Sequence, residues 1–278
     1  MNETFQVGSI TIAAAAVTDV GLKRKHNEDS ILALPHVYVV ADGMGGYEAG
    51  DQASAAVVEA FRTIAQGADL LTLEMLREAL ELADDGVAAV ADGTRRGAGS
   101  TVAGAAVIEH AGAPHWVIFN VGDSRVYRHA GTALQQVTID HSLGQELYDA
   151  GRITAAELAV FPERNVITRA IGAVDAEADS WLMPVRNGER LLLCSDGLSS
   201  EVPDELIRQT LGQGGDPLRI ANALVALAKR SGGRDNISVI VVEVQRGAAD
   251  FDLGGAPDGE SDAEQEQFLL ETTVPVVE

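Results

Sequence analysis

Cysteine is all but missing from this chain. The single Cys194 leaves no internal disulfide to form, which fits a reducing compartment. Long apolar runs are missing as well. No stretch reaches membrane-spanning length, and residues 1–9 lack the basic-then-apolar order of an export signal. A cytoplasmic location without membrane contact is expected. Positive charge is scarce: 20 Lys and Arg stand against 42 Asp and Glu, a formal net charge of −22. Nucleic acid and anionic membranes both demand a basic footprint, so neither is expected as a partner. The surplus acid serves solubility.

Missing motifs exclude further chemistries. There is no C-x-x-C and no H-x-x-x-H pair, so structural zinc has no ligand set. A G-x4-G-K-[ST] loop is absent, which removes P-loop kinases. Ser195 sits in no G-x-S-x-G elbow and Cys194 opens no C-x5-R loop, so a covalent nucleophile is not indicated. Cys194 lies inside an apolar run and reads as an inert buried thiol.

Acid at strand ends is what the chain does have. The apolar run 37–41 reads as a buried strand ending on Asp42, followed by Gly43, Gly45, Gly46 and Gly50. Glycine lets a backbone turn sharply and approach a ligand closely. Three more Asp residues border apolar runs: Asp123, Asp196 and Asp235. The pair Glu28-Asp29 precedes the run 30–34. Carboxylates gathered on one edge would raise each other's pKa unless cations neutralised them, so a shared metal cluster is the economical reading. All-oxygen ligands point to Mn2+ or Mg2+. Two ions about 3.5–4 Å apart can hold a water between them, lower its pKa and aim it in line at phosphorus. Lys23, Arg24 and Lys25 lie just before this acid pair. They supply charge that a phosphate needs, and the planar fork of Arg24 is the better anchor.

Read in order, residues 1–9 form a short lead and 10–20 a first strand. Helical spacing of apolar residues predicts helices over 51–65 and 70–90. Strands follow at 100–108, 116–121, 125–129 and 134–138, spaced as in an antiparallel meander. Residues 140–164 are polar, with two short helical pieces, and read as a surface flap. Strands at 181–185, 190–194 and 237–244 and helices at 203–211 and 217–231 complete the domain. After Arg246 there is no Lys or Arg. The expected division is a domain over 1–246 and an acidic, disordered tail over 247–278, whose apolar end could dock a partner or carry a phosphorylation site.

Seven motifs, in order, carry a resemblance over about residues 10–244. They are Arg24-Lys25-His26-Asn27-Glu28-Asp29, Asp42-Gly43-Met44-Gly45-Gly46, Gly99-Ser100-Thr101, Val121-Gly122-Asp123-Ser124-Arg125, Thr138-Ile139-Asp140-His141-Ser142, Leu193-Cys194-Ser195-Asp196-Gly197-Leu198 and Asp235-Asn236-Ile237-Ser238. Together they resemble the metal-dependent Ser/Thr protein phosphatases of the PPM (PP2C) type, in their bacterial form. The resemblance implies an α+β fold, a four-layer α-β-β-α sandwich of two face-to-face antiparallel sheets with helices outside. It implies hydrolysis of phosphoserine and phosphothreonine in proteins, opposing a bacterial Ser/Thr kinase; the oligomeric state stays open, with a monomer as the default expectation. Asp42 would bridge two ions, with the Gly43 carbonyl on one of them. Glu28 would act through water, Asp29 in support. Asp196 and Asp235 would complete the second ion, and Asp123 with Asp196 resembles the site of a third, looser ion. Arg24 matches the phosphate-binding Arg, Asn236 would support the ligands, and residues 138–170 match a mobile flap.

Departures bear on the proton donor. Met44 stands where eukaryotic relatives have His, Tyr47 where many bacterial members have His, and Phe161-Pro162 where His-Pro is frequent. His26 and His141 remain as donors, beside a water. Two alternatives stay open: a non-catalytic phosphoprotein-binding module, and a phosphatase of the phosphorylated antagonist of an anti-sigma factor. No membrane helix follows the domain, so a receptor-type enzyme is not expected.

Overall fold

The computed structural model describes residues 2–45, 49–94, 97–174 and 176–250. The chain opens with β1 (Asn2–Val7), β2 (Ile10–Asp19), β3 (Asp29–Leu34) and β4 (Val37–Met44), then α1 (Gly50–Ala65) and α2 (Leu73–Asp92). There follow β5 (Gly99–Ser100), β6 (Val102–His110), β7 (Ala113–Val121), β8 (Arg125–Ala130) and β9 (Ala133–Gln136). The flap holds α3 (Leu143–Asp149) and α4 (Ala155–Leu158). The chain then runs through β10 (Asp179–Pro184), β11 (Arg190–Cys194), α5 (Asp196–Ser199), α6 (Asp204–Gly212), α7 (Pro217–Ser231) and β12 (Ile237–Arg246).

Two antiparallel sheets result. One has the order β1-β2-β12-β11-β8-β9; the other runs β10-β7-β6-β4-β3, with β5 paired to β4. Their central strands are continuous apolar runs because both faces are buried. Successive side chains alternate in direction. On β11, Leu191 and Leu193 enter the core between the sheets, whereas Leu192 and Cys194 face α6 and α7. On β4, Tyr38 and Val40 join the inner core and Val37, Val39 and Ala41 pack against α1 and α2. Helices thus cover the outer face of each sheet, which gives the four layers that the motifs implied. Among the described residues no helix is long and apolar enough to cross a membrane.

The helices follow their apolar stripes. Ala53, Val57, Ala60 and Phe61 of α1, and Leu76, Ala79, Ala83 and Val87 of α2, are buried at helical spacing. Asp216 caps α7 by accepting the Leu218 amide, and Pro217 fills its first turn.

Packing is tight where α1 meets the sheet. Phe119 of β7 stacks on Phe61, centroids 5.0 Å apart, and lies across Gly104, its cross-strand partner on β6. A Cβ on Gly104 would stand 2.0 Å from the Phe119 ring. Gly104→Ala should therefore displace that ring and destabilise the domain by about 1–3 kcal/mol. Chemical denaturation measures this, and an unchanged midpoint would contradict the packing.

Two expectations are corrected. Residues 1–9 are no loose lead: β1 pairs with β2 from Asn2↔Ala15 to Val7↔Ile10 and closes one edge of its sheet. Its exposed, polar residues suit an edge strand and hide its period of two. The helix α5, directly after Cys194, was not anticipated. At the other end, the first residues beyond β12 fold back, with the Asn187 amide donating to the Ala249 carbonyl at 2.9 Å. The tail expected from residue 247 lies, from 251 onward, outside the described residues.

Candidate metal and phosphate site

The antiparallel order brings one set of strand ends together. The end of β4 meets the start of β3, and Asp42 and Asp29 are direct cross-strand partners. In the other sheet, the end of β11 meets the start of β12, where backbones touch. A Cβ on Gly197 would lie 1.9 Å from the Asn236 carbonyl oxygen, so only glycine lets Asp196 and Asp235 come side by side. The β7–β8 turn adds Asp123. Arg24, Glu28, Asp42, Asp123, Asp196 and Asp235 all line one cavity of about 660 Å³, as does Gly43. Asp29 lies behind it, 7 % exposed.

Side chains of small polar residues pin the two sheets' ligands to each other. Asn236 accepts the Glu28 amide at 2.8 Å and donates to the carbonyls of Val20 and His26. Ser195 donates to Asp29 Oδ2 at 2.8 Å and accepts the Ser238 amide at 3.0 Å. Thr101 Oγ1 accepts the Asp42 amide at 2.9 Å, and Ser100 Oγ donates to the Asp42 carbonyl at 3.1 Å. Ser195, Ser238 and Thr101 were missed as site residues. Of the three, only Ser195 stands directly beside an acid in the sequence, Asp196.

The electrostatics are those of crowded carboxylates. Burial, with Asp196 and Asp235 nearby, pushes Asp29 up to about 7 against the opposing bonds from Ser238 and Ser195. Burial and Asp235 push Asp196 up to about 6, although Arg24 and Arg125 pull the other way. Asp42 is raised well above the ordinary range by burial and by Asp29, Asp196, Asp123 and Asp235. Asp123 is raised by burial, Asp196 and Asp140. Burial pushes the Cys194 thiol up to about 12, which leaves it inert.

These donors fit a divalent ion. Asp29 Oδ1 and Asp196 Oδ1 are buried without a hydrogen-bond partner, an arrangement that leaves their desolvation uncompensated. Glu28 Oε1 and the Gly43 carbonyl oxygen face one space, which a Cβ on Gly50 would fill at 2.7 and 2.9 Å from them. Two acceptors around a space kept open by glycine suit a cation. Among the described residues no three acidic, His or Cys side chains close into a complete cage. Mg2+ and Mn2+ sites take one or two carboxylates and keep several waters, so an open set of this kind serves.

The pH dependence follows. A carboxyl whose folded pKa is raised binds more protons folded than unfolded, so stability declines as pH rises through the folded value. Metal-free protein should thus lose thermal stability between about pH 5 and pH 7.5. Mn2+ should reverse the trend, since its ligands must be deprotonated. Melting curves with EDTA and with Mn2+ check this; a metal-free stability that rises over that interval would contradict it.

Arg24 stands at the mouth. It is 48 % exposed, with Nη2 2.7 Å from Asp235 Oδ2 and Nη1 3.8 Å from Glu28 Oε2. Of the two candidate proton donors, His26 lines the cavity. His141 does not: it is buried, its Nδ1 accepts the Gly122 amide at 3.1 Å, and its Nε2 faces Asp179 at 3.2 Å. It braces the turn that carries Asp123. Met44 lines the cavity, as do Asn165 and Ile167 of the flap; Tyr47 lies outside the described residues.

Comparison with known proteins agrees with this geometry. The Protein phosphatase 2C profile matches residues 23–225. The Serine/threonine protein phosphatase PstP of Mycobacterium tuberculosis is 36% identical over 266 residues, 91% of this chain and 50% of that protein. The chain thus spans about half the length of that curated relative. The Serine/threonine phosphatase stp of Listeria monocytogenes is 34% identical over 239 residues, 81% of this chain and 93% of that protein. Among solved structures, the catalytic domain of PstP in complex with 2 manganese ions superposes with a TM-score of 0.76 at 34% identity, covering 84% of this chain and 99% of that one. With a matching fold, a family profile over most of the domain and relatives at this level of identity, the chain belongs to the protein phosphatase 2C family in its bacterial form.

Proposed function

We propose that the chain is a Mn2+- or Mg2+-dependent phosphatase that hydrolyses phosphoserine and phosphothreonine in proteins. The observation that carries this is the convergence of Asp42, Asp123, Asp196 and Asp235 with the Arg24 guanidinium on one cavity. Asp42, Asp196 and Asp235, with the Gly43 carbonyl and Glu28, would hold two ions, and Asp123 with Asp196 a third. When bound, such ions activate water and neutralise phosphoryl oxygens. Asp29, held by Ser195, stands behind the site without lining the cavity. Arg24 is exposed enough to turn from Asp235 onto phosphoryl oxygens, where its fork can hold two at once. Asn165 and Ile167 bring the flap to the same cavity, where it can bear on the protein carrying the phosphate.

The natural substrates would be products of a Ser/Thr kinase, met in the cytoplasm by a monomeric domain over residues 1–246. Support comes from the two manganese ions in the PstP catalytic domain and from the intact carboxylates here, which a non-catalytic binding module would have no need to keep. The test is phosphate release from p-nitrophenyl phosphate and a phosphothreonine peptide, with Mn2+, with Mg2+ and with EDTA. Metal-dependent turnover that EDTA abolishes is expected. No turnover with either ion, from folded protein, would contradict the reading.

A further inference from the structure

The chain contains three lysines, Lys23, Lys25 and Lys229. Lys229 is bound to Asp19, its Nζ 2.7 Å from Oδ2. Lys23 and Lys25 flank Arg24, are exposed, and have no ion-pair or hydrogen-bond partner among the described residues. In a protein of net charge −22, two of three lysines stand at the rim of one cavity without a partner among the described residues.

The segment that presents them is anchored at both ends. On one side the Leu22 amide donates to the Gly233 carbonyl at 2.7 Å, and the Gly21 amide to Asp19 Oδ1 at 2.8 Å. Gly21 is in the left-handed region, with φ 77°, and a Cβ there would lie 2.1 Å from the Asp235 carbonyl oxygen. On the other side Asn236 holds the His26 carbonyl, and Asn27 Nδ2 donates to Thr18 Oγ1 at 2.7 Å. Three cations are thus carried between fixed points, so little backbone order is lost when they meet an anion.

The far side of the phosphate position is different. A second cleft, of about 310 Å³, continues from Asp123, Asp196 and Asn165 under the flap and is lined by Asp140 and Asp204. Its cations are engaged: Arg125 is held by Asp140 and the Tyr127 hydroxyl, and Arg164 Nη1 donates to the Ala159 carbonyl at 2.7 Å. Among the described residues, the unpaired lysines therefore lie at the Arg24 end of the groove.

We infer that Lys23 and Lys25 form a subsite for a second anionic group beside the phosphorylated residue, so that the preferred substrates carry acid on one flank. This rests on the phosphatase reading and names its substrate class. The shared chemistry is negative charge, supplied by Asp and Glu side chains or by a neighbouring phosphorylated residue. Arg24 takes the phosphoryl group to be cleaved; the lysines take its neighbour and leave the chemical step alone.

The experiment compares phosphothreonine peptides with three Asp before the phosphothreonine, three Asp after it, a second phosphothreonine on either side, or neutral flanks. Wild type is compared with Lys23→Gln/Lys25→Gln in Mn2+. One acidic flank should raise kcat/KM about 3- to 10-fold over neutral flanks, through KM, as expected for two exposed charge pairs. Salt should erode the gain. The double variant should lose that gain, so that its kcat/KM no longer depends on the flank. A gain from phosphate alone assigns the subsite to multiply phosphorylated segments; an equal gain from Asp assigns it to acidic ones. Equal kcat/KM for acidic and neutral peptides, or a gain that survives in the double variant, would overturn the inference with the phosphatase reading intact. Absence of p-nitrophenyl phosphate turnover by wild type would instead overturn that reading and the inference with it.

Discussion

Asp42→Asn is expected to lower kcat/KM for p-nitrophenyl phosphate by about 100-fold or more, the scale of losing one preorganised charge at a reacting centre. The same change should leave the metal-free fold unharmed or stabilise it. Asn keeps the shape of Asp and removes one charge from a set in which Asp29, Asp196, Asp123 and Asp235 all disfavour ionisation of Asp42. Its backbone stays held by Thr101 and Ser100. Activity and metal-free stability should therefore move in opposite directions, as expected for a site that stores repulsion for a ligand. Full activity in this variant would place the chemistry elsewhere. Lost activity together with a large loss of metal-free stability would give Asp42 a structural role instead.

The reverse pattern is expected at the opposite strand ends. Glu189 is 0 % exposed. Its Oε1 accepts the Trp116 indole and the Arg186 amide, both at 2.8 Å, and its Oε2 accepts Arg128 Nε at 2.6 Å. It joins β7 of one sheet to β8 of the other. Glu189→Ala removes the acceptor from a buried indole and a half-buried amide and the counter-charge from a guanidinium. A loss of about 3–5 kcal/mol is expected. Glu189→Gln, which keeps an acceptor oxygen, should lose less. Because the residue is remote from the carboxylates, turnover per folded molecule should stay at the wild-type level. Urea denaturation gives the first quantity and p-nitrophenyl phosphate the second. A loss below about 1 kcal/mol would show that the network contributes no more than a surface pair.

Comparison of these two sites shows what the sequence could reveal. The acid positions were legible because each borders an apolar run such as 37–41, whose continuity reflects burial on both faces. The sheets' antiparallel order then carries Asp29, Asp42, Asp196 and Asp235 to one rim. β1 was not legible: an edge strand needs few apolar residues, and Asn2, Glu3, Thr4 and Gln6 look like a loose end. The four-residue α5 is too short to show a period. Of the braces only Asn236 was named beforehand, through the resemblance, and the contacts that they make were not legible for another reason. Ser195 reaches Asp29 across 166 positions, and Asn236 reaches Glu28 across 208. Such contacts depend on the register of strands far apart in the chain, which composition and spacing do not encode. His141 shows the same limit. Its residue type suggested a proton donor, while its place behind Gly122 makes it a brace.

The measurement that bears most directly on the account is a calorimetric titration of Mn2+ into metal-free protein near neutral pH, for wild type and Asp42→Asn. Wild type should bind at least two ions and release protons as it does so, because Asp29 and Asp196 are pushed up to about 7 and about 6 before metal arrives. Asp42→Asn should lose at least one of those ions. A folded wild-type protein that binds no Mn2+, or a variant that binds it as wild type does, would contradict the claim that this carboxylate rim is a metal centre.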